Sequence, residues 1–255
     1  EITCRDWSSD VCSSDLMRRQ ITISLVVLLA VVLFAPAAQA AKKSGGMGMT
    51  SFDVAVDFGL PIAGFIPYGS IDDEDGEDLG SISGMGNVSF PYLGLHAALY
   101  PDRGWYIQFD FLTYQRQSGE ATMSPEDEDL DDQDFDFVVN RFMLLDAGLG
   151  KVFGKNKRVR PKAGAGLGVH YMSFFMDVKH GKDESASGWA IGPFGQIGVD
   201  VTVTKIKKMG ELFVGGNLRL DLIWNWQPYE FEDSHSELST VYLPLSAFLS
   251  TGLRF

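Results

Sequence analysis

Cysteine is nearly absent from this chain of 255 residues: Cys4 and Cys12 are the two, both within the first sixteen positions. From residue 17 onward there is thus no route to a disulfide framework or a thiolate metal centre. Long apolar runs are equally scarce. The one sustained run, residues 21–34, falls short of the ~20 residues a helix needs to cross a bilayer, so a bundle of membrane helices is excluded. Basic residues are in deficit, 21 Lys and Arg against 34 Asp and Glu, a formal charge of −13. That balance removes nucleic acid from the expected partners. Histidine occurs four times, at 96, 170, 180 and 235, and none stands in a motif with a nucleophilic serine, so no enzymatic site is expected.

The first sixteen residues, EITCRDWSSDVCSSDL, resemble a translated sequencing adapter, with residues 6–16 carrying the resemblance, and Met17 is read as the start. Arg18 and Arg19, the apolar stretch 21–34, Pro36 and Ala38-Gln39-Ala40 then follow the basic, apolar and small-residue order of a secretory signal. Cleavage is expected after Ala40. No cysteine follows the apolar stretch to carry a lipid anchor, and residues 41–255 are left as one domain with 18 basic and 30 acidic side chains.

What that domain has in abundance is alternation. In residues 241–255, Val241, Leu243, Leu245, Ala247, Leu249, Thr251, Leu253 and Phe255 share one parity, and Tyr242, Ser246, Ser250 and Arg254 the other. A strand between lipid and a polar interior reads this way. Residues 211–227 repeat the pattern, with Leu212, Val214, Leu218, Leu220, Leu222, Trp224 and Trp226 against Glu211, Asn217, Arg219, Asp221 and Asn225. Eight strands are predicted, over residues 50–62, 89–100, 105–117, 135–153, 159–177, 189–204, 211–227 and 240–255. Tight connections at 101–104, 154–158 and 205–210 alternate with longer, acid-rich ones. An even number of antiparallel strands closes into an up-and-down transmembrane β-barrel with no edge left to lipid. Trp105, Trp189, Trp224, Trp226 and Tyr229 lie toward strand ends, where an aromatic girdle meets the headgroups.

The pattern resembles the small eight-stranded bacterial outer-membrane barrels, the OmpA transmembrane domain and the OmpX and OmpW types, over the whole of residues 41–255. The resemblance implies an outer-membrane location among lipid and lipopolysaccharide, a monomer, and insertion by the barrel assembly machinery. It also implies that Leu249, Leu253 and Phe255 form the C-terminal assembly signal, from which Thr251 departs in polarity. No peptidoglycan-binding domain follows Phe255, so a cell-wall tether is not implied.

Eight strands enclose a space that side chains can fill. Parity sends Asp53, Asp57, Asp110, Asp146, Asp200, Glu211 and Asp221 inward with Arg116, Lys162, Arg219 and Arg254, and such charges must pair. Glu211 with Arg254 and Lys162 with Asp200 are the expected partners. The inward glycines at 148, 150, 164, 166, 168, 192, 198 and 215 either admit Phe194, Phe213 and Phe248 against the backbone or leave a narrow cavity. A plugged barrel with a structural or surface-interaction role is therefore the first expectation, and a narrow channel for a small solute or ion the second. An outer-membrane lipid-modifying enzyme, with His170 or His235 as base, is a remote third. No cofactor is expected. The acidic loops, with Asp72, Asp73 and Asp75 in one and Asp127 and Asp129 in another, suit weak binding of calcium or magnesium at most.

Overall fold

The structure, a computed structural model, describes residues 51–72, 76–87, 92–101, 104–126, 132–153, 158–178, 184–207, 210–231 and 236–255. Residues 1–50, which hold the adapter, signal and cleavage readings and both cysteines, lie outside the described residues. Every described element is a strand: β1 (Ser51–Asp72), β2 (Asp78–Gly86), β3 (Tyr92–Tyr100), β4 (Trp105–Pro125), β5 (Gln133–Val152), β6 (Val159–Val178), β7 (Glu184–Ile206), β8 (Gly210–Asp221), β9 (Ile223–Asn225), β10 (Tyr229–Glu230) and β11 (Glu237–Arg254).

Antiparallel pairing joins consecutive strands around the sheet, and β1 pairs β11 from Asp53↔Arg254 to Asp72↔Glu237. The sheet therefore closes on itself. Eleven elements make eight staves, because β2 and β3 lie in line along β1 and β4, and β8, β9 and β10 follow one another along β11. The β8/β9 break falls at Leu222, opposite Pro193. Proline has no N–H to return, and only the Leu222 N–H to Pro193 carbonyl bond, 2.9 Å, is made there. The predicted single strand over 211–227 is thus divided by its partner.

The staves are longer than predicted. β4, β5, β6 and β7 run for 21, 20, 20 and 23 residues, about twice the 9–11 that span a bilayer. The surplus lies at the end away from the termini. There β1 runs to Asp72 instead of stopping near residue 62, and β2 occupies what reads as loop. Register shifts at Pro61/Ala63 and Phe65/Tyr68 break the period of two in β1, and β2 (DLGSISGMG) is too rich in glycine to show one.

The two halves of the barrel have opposite polarity. Toward the termini the outer wall is apolar, with Phe58, Leu60, Leu145, Leu149, Leu167, Ile197, Val201, Val214, Leu218 and Leu249 all exposed. The interior at that level is charged. Beyond Trp189 and Trp226 the outer wall turns polar, through Glu120, Asp134, Asp136 and Ser187, while Ile66, Ile82, Phe135, Phe137, Met172, Phe174, Phe231 and Leu238 form an apolar core inside. One half is solvated by lipid and the other by water, and each puts its opposite within.

Candidate functional site

The charged side chains of the lower half form two layers across the lumen. In the layer nearest the termini, Arg254 donates from Nε to Asp53 Oδ1 at 2.8 Å and from Nη2 to Asp53 Oδ2 at 2.6 Å. Its Nη2 also lies 3.4 Å from Asp200 Oδ2, whose other oxygen is 2.9 Å from Lys162 Nζ. Two carboxylates thus meet two cations. Tyr100, Tyr106 and Phe213, each 1% exposed, fill the space around them, with the Arg254 guanidinium 5.0 Å from the Phe213 ring centre. Arg160 stacks over Tyr100 at 4.4 Å at the same end.

Arg219 organises the central layer. Its Nη1 donates to Asp110 Oδ2 at 3.1 Å, its Nη2 to Asp146, and its Nε and Nη2 to Asp221 Oδ1 at 2.9 and 2.6 Å. These carboxylates come from β4, β5 and β8, so one side chain ties three staves together. Its flat face rests 3.8 Å from the centre of the Phe194 ring. Around it, His96 Nδ1 is 2.6 Å from Asp110 Oδ1, Gln108 donates to Asp110 Oδ2 at 3.2 Å, and Gln196 donates to Gln108. Arg141 Nη1 approaches Asp221 Oδ2 at 3.2 Å, and His170 Nε2 lies 3.8 Å from Asp146 Oδ1. Above this layer, Gln115 donates to Ser246 at 2.7 Å and the Tyr242 hydroxyl to Gln117, and the apolar core begins.

Four of the inward glycines make room for rings. A Cβ at Gly164 would lie 2.7 Å from the Tyr106 hydroxyl oxygen, and one at Gly150 would overlap the Tyr106 ring. At Gly148 and Gly166 a Cβ would come within 2.9 and 2.7 Å of the Phe194 ring. Tyr106 and Phe194 therefore occupy hollows that these glycines create.

Several expected placements differ. Glu211 does not pair with Arg254, which is taken by Asp53. Its carboxylate instead meets Lys205 Nζ at 2.9 Å across the tight β7–β8 turn. The Lys205 hydrogen bond holds the Glu211 carboxyl below the ordinary carboxylate range. Because Lys205 is exposed, the pair is screened, and Lys205→Ala is expected to leave the urea midpoint of the folded barrel unchanged. Tyr229 is not part of the girdle. It is 2% exposed, packs on Phe174 with ring centres 5.7 Å apart, and fills the hollow beside Gly188. Trp105, Trp189, Trp224 and Trp226 do face outward, at 52%, 52%, 41% and 70% exposure. Asp57 is half-buried with Oδ1 enclosed. Leu249 faces outward, and Phe255 stacks on Phe52 at 6.3 Å. Asp72 ends β1. Asp73, Asp75, Asp127, Asp129, His180 and His235 lie outside the described residues.

Arg141 and Arg116 exchange roles relative to expectation. Constant parity along each strand sends Arg116 inward and Arg141 outward, whereas Arg116 is exposed and Arg141 is 2% exposed. In β4 the buried positions are even up to Asp110 and odd from Gln115. In β5 they are odd up to Arg141 and even from Asp146. The β5–β6 register shifts between Met143 and Leu145, at this slip. An arginine that constant parity aims into lipid is costly, and that cost was the signal in the sequence.

No protein-family model matches the chain, and no curated protein matches it. Among solved structures it is similar to Neisserial surface protein A, at 18% identity over 80% of this chain and 95% of that one, with a TM-score of 0.36. It is similar to the outer membrane protein OprG from Pseudomonas aeruginosa, at 15% over 82% and 98%, TM-score 0.41. It is also similar to Ail, the attachment invasion locus protein of Yersinia pestis, at 11% over 80% and 98%, TM-score 0.35. The chain's own surface carries the assignment: a closed antiparallel sheet with an apolar belt, tryptophans at its margins and polar side chains within is an integral outer-membrane β-barrel.

Proposed function

We propose that the barrel is plugged, and that it serves the envelope as a structural or surface-interaction protein instead of a conduit. The observation that carries this reading is the central layer, where Arg219 joins Asp110, Asp146 and Asp221 across the lumen with Phe194 beneath its guanidinium. Above it the apolar core is a second barrier, and below it Tyr100, Tyr106 and Phe213 are a third. An ion would have to break buried pairs and then cross the apolar core. Of the glycines that suggest space, those at 148, 150, 164 and 166 face the Tyr106 and Phe194 rings, and those at 168, 198 and 215 face the side chains of Asp146, Asn217 and Asp200.

The surface-interaction half of the proposal rests on the extension beyond the belt. Its outer wall carries Glu120, Asp134 and Asp136, and a groove of ≈1000 Å³ at the β1–β2–β4–β5 seam combines these acids with Phe65, Pro67 and Met85. In a barrel with its termini and short turns in the periplasm, this wall faces the cell exterior. Single-channel recording of the full-length chain in planar bilayers, with heat-dependent gel mobility to establish folding, is expected to give a silent membrane. Reproducible discrete openings from the folded protein would overturn the plug and restore the conduit.

A further inference from the structure

The two charged layers differ in composition. Asp53 and Asp200 face Lys162 and Arg254, and that layer is neutral. The central layer sets Asp57, Asp110, Asp146 and Asp221 beside Arg141 and Arg219, with His96 and His170 among them. The histidines and aspartates fall into two like groups, Asp57–His96–Asp110 and Asp146–His170–Asp221, each with its ligand atoms within 4.8 Å of one another.

The second group differs from the first in what its atoms lack. His96 already holds Asp110 through Nδ1. His170 is fully buried, and neither ring nitrogen has a hydrogen-bond partner. Asp146 Oδ1 and Asp221 Oδ2 are buried and without one as well. The Arg141 Nη1 that approaches Asp221 Oδ2 makes no hydrogen bond to it. His170 and two carboxylate oxygens, from β6, β5 and β8, therefore converge with no hydrogen bond made to any of them. Buried acceptors of this kind need a partner.

We infer that Asp146, His170 and Asp221 form a site for one divalent transition-metal ion of the zinc class. Imidazole nitrogen with carboxylate oxygen is a ligand set that zinc accepts, at about 2.0–2.2 Å from each donor. The 3.8 Å between His170 Nε2 and Asp146 Oδ1 leaves room for an ion between them after a small contraction. A dication meets all three groups at once, whereas a proton on His170 would serve one carboxylate oxygen and leave the other unmet. Arg219 keeps the other oxygens, Asp146 Oδ2 and Asp221 Oδ1, and so orients both carboxylates toward the ion. Calcium, which prefers six to eight oxygens, is disfavoured by the imidazole.

Untagged full-length protein, stripped with EDTA and folded in detergent micelles, tests this by calorimetric titration with zinc chloride. One tight equivalent per chain is expected, undisturbed by millimolar calcium. His170→Ala should weaken it at least tenfold, while His96→Ala keeps it. No tight equivalent, or equal affinity in His170→Ala, would overturn the site. Should His170→Ala not fold, zinc-edge absorption spectroscopy of the wild-type complex decides. A shell of one imidazole with carboxylate oxygens supports the inference, and a shell with no imidazole or with more than one refutes it.

Discussion

Arg219→Ala is expected to destabilise the barrel by about 3–5 kcal/mol, the cost of removing one partner from a buried, hydrogen-bonded charge cluster. Arg219 is 2% exposed and bonds Asp110, Asp146 and Asp221, so its loss leaves three carboxylates close together without the guanidinium that joins them. Van der Waals contact with Phe194 goes with it. The urea midpoint, read by heat-dependent gel mobility and tryptophan fluorescence, should fall sharply. The double variant Arg219→Ala with Asp146→Asn should recover part of the loss, since it removes one of the stranded charges. A midpoint equal to wild type would show that the central layer contributes nothing to the closed state.

Gly150→Val tests the same closure from the side of shape. The Tyr106 ring lies where the new side chain would begin, and Tyr106 is itself 1% exposed, with the Tyr100 ring centre at 5.8 Å. Overpacking of this kind costs about 1–3 kcal/mol. The expected midpoint loss should be reduced when Tyr106→Ala is added, because the valine then fills part of the space the ring vacates. Additive losses in the double variant would mean that the two positions do not share the hollow.

The strands most legible in the sequence were those whose buried positions keep one parity from end to end. β11 alternates without interruption, and its outward Leu249 and inward Ser250 and Arg254 follow from parity alone. β6 and β7 behave likewise. In each, the buried positions are even throughout, and Lys162 and Asp200 meet where parity and height place them. β4 and β5 were less legible because a slip around residues 112–114 and 142–144 reverses their faces, so that Arg141 enters the lumen and Arg116 leaves it. Tyr229 misled for a different reason. An aromatic near a strand end suits a headgroup girdle equally well as a core, and only the hollow beside Gly188 distinguishes the two.

By itself, the sequence determined the class of solvent on each face of the lower barrel, because burial in lipid demands apolar side chains at every second position and a closed sheet. It also determined which residue types had to meet inside. What the tertiary structure alone decided is the partnership of those residues and the existence of the upper core. Arg219 meets carboxylates 73 and 109 positions away as well as its near neighbour Asp221. Phe135, Met172 and Phe231 face one another only because the staves continue past the membrane and exchange lipid for water on their outer wall. Period-two alternation reports which side of a strand is apolar. It does not report whether that side points outward to lipid or inward to a core, and the solvent beyond the wall settles that.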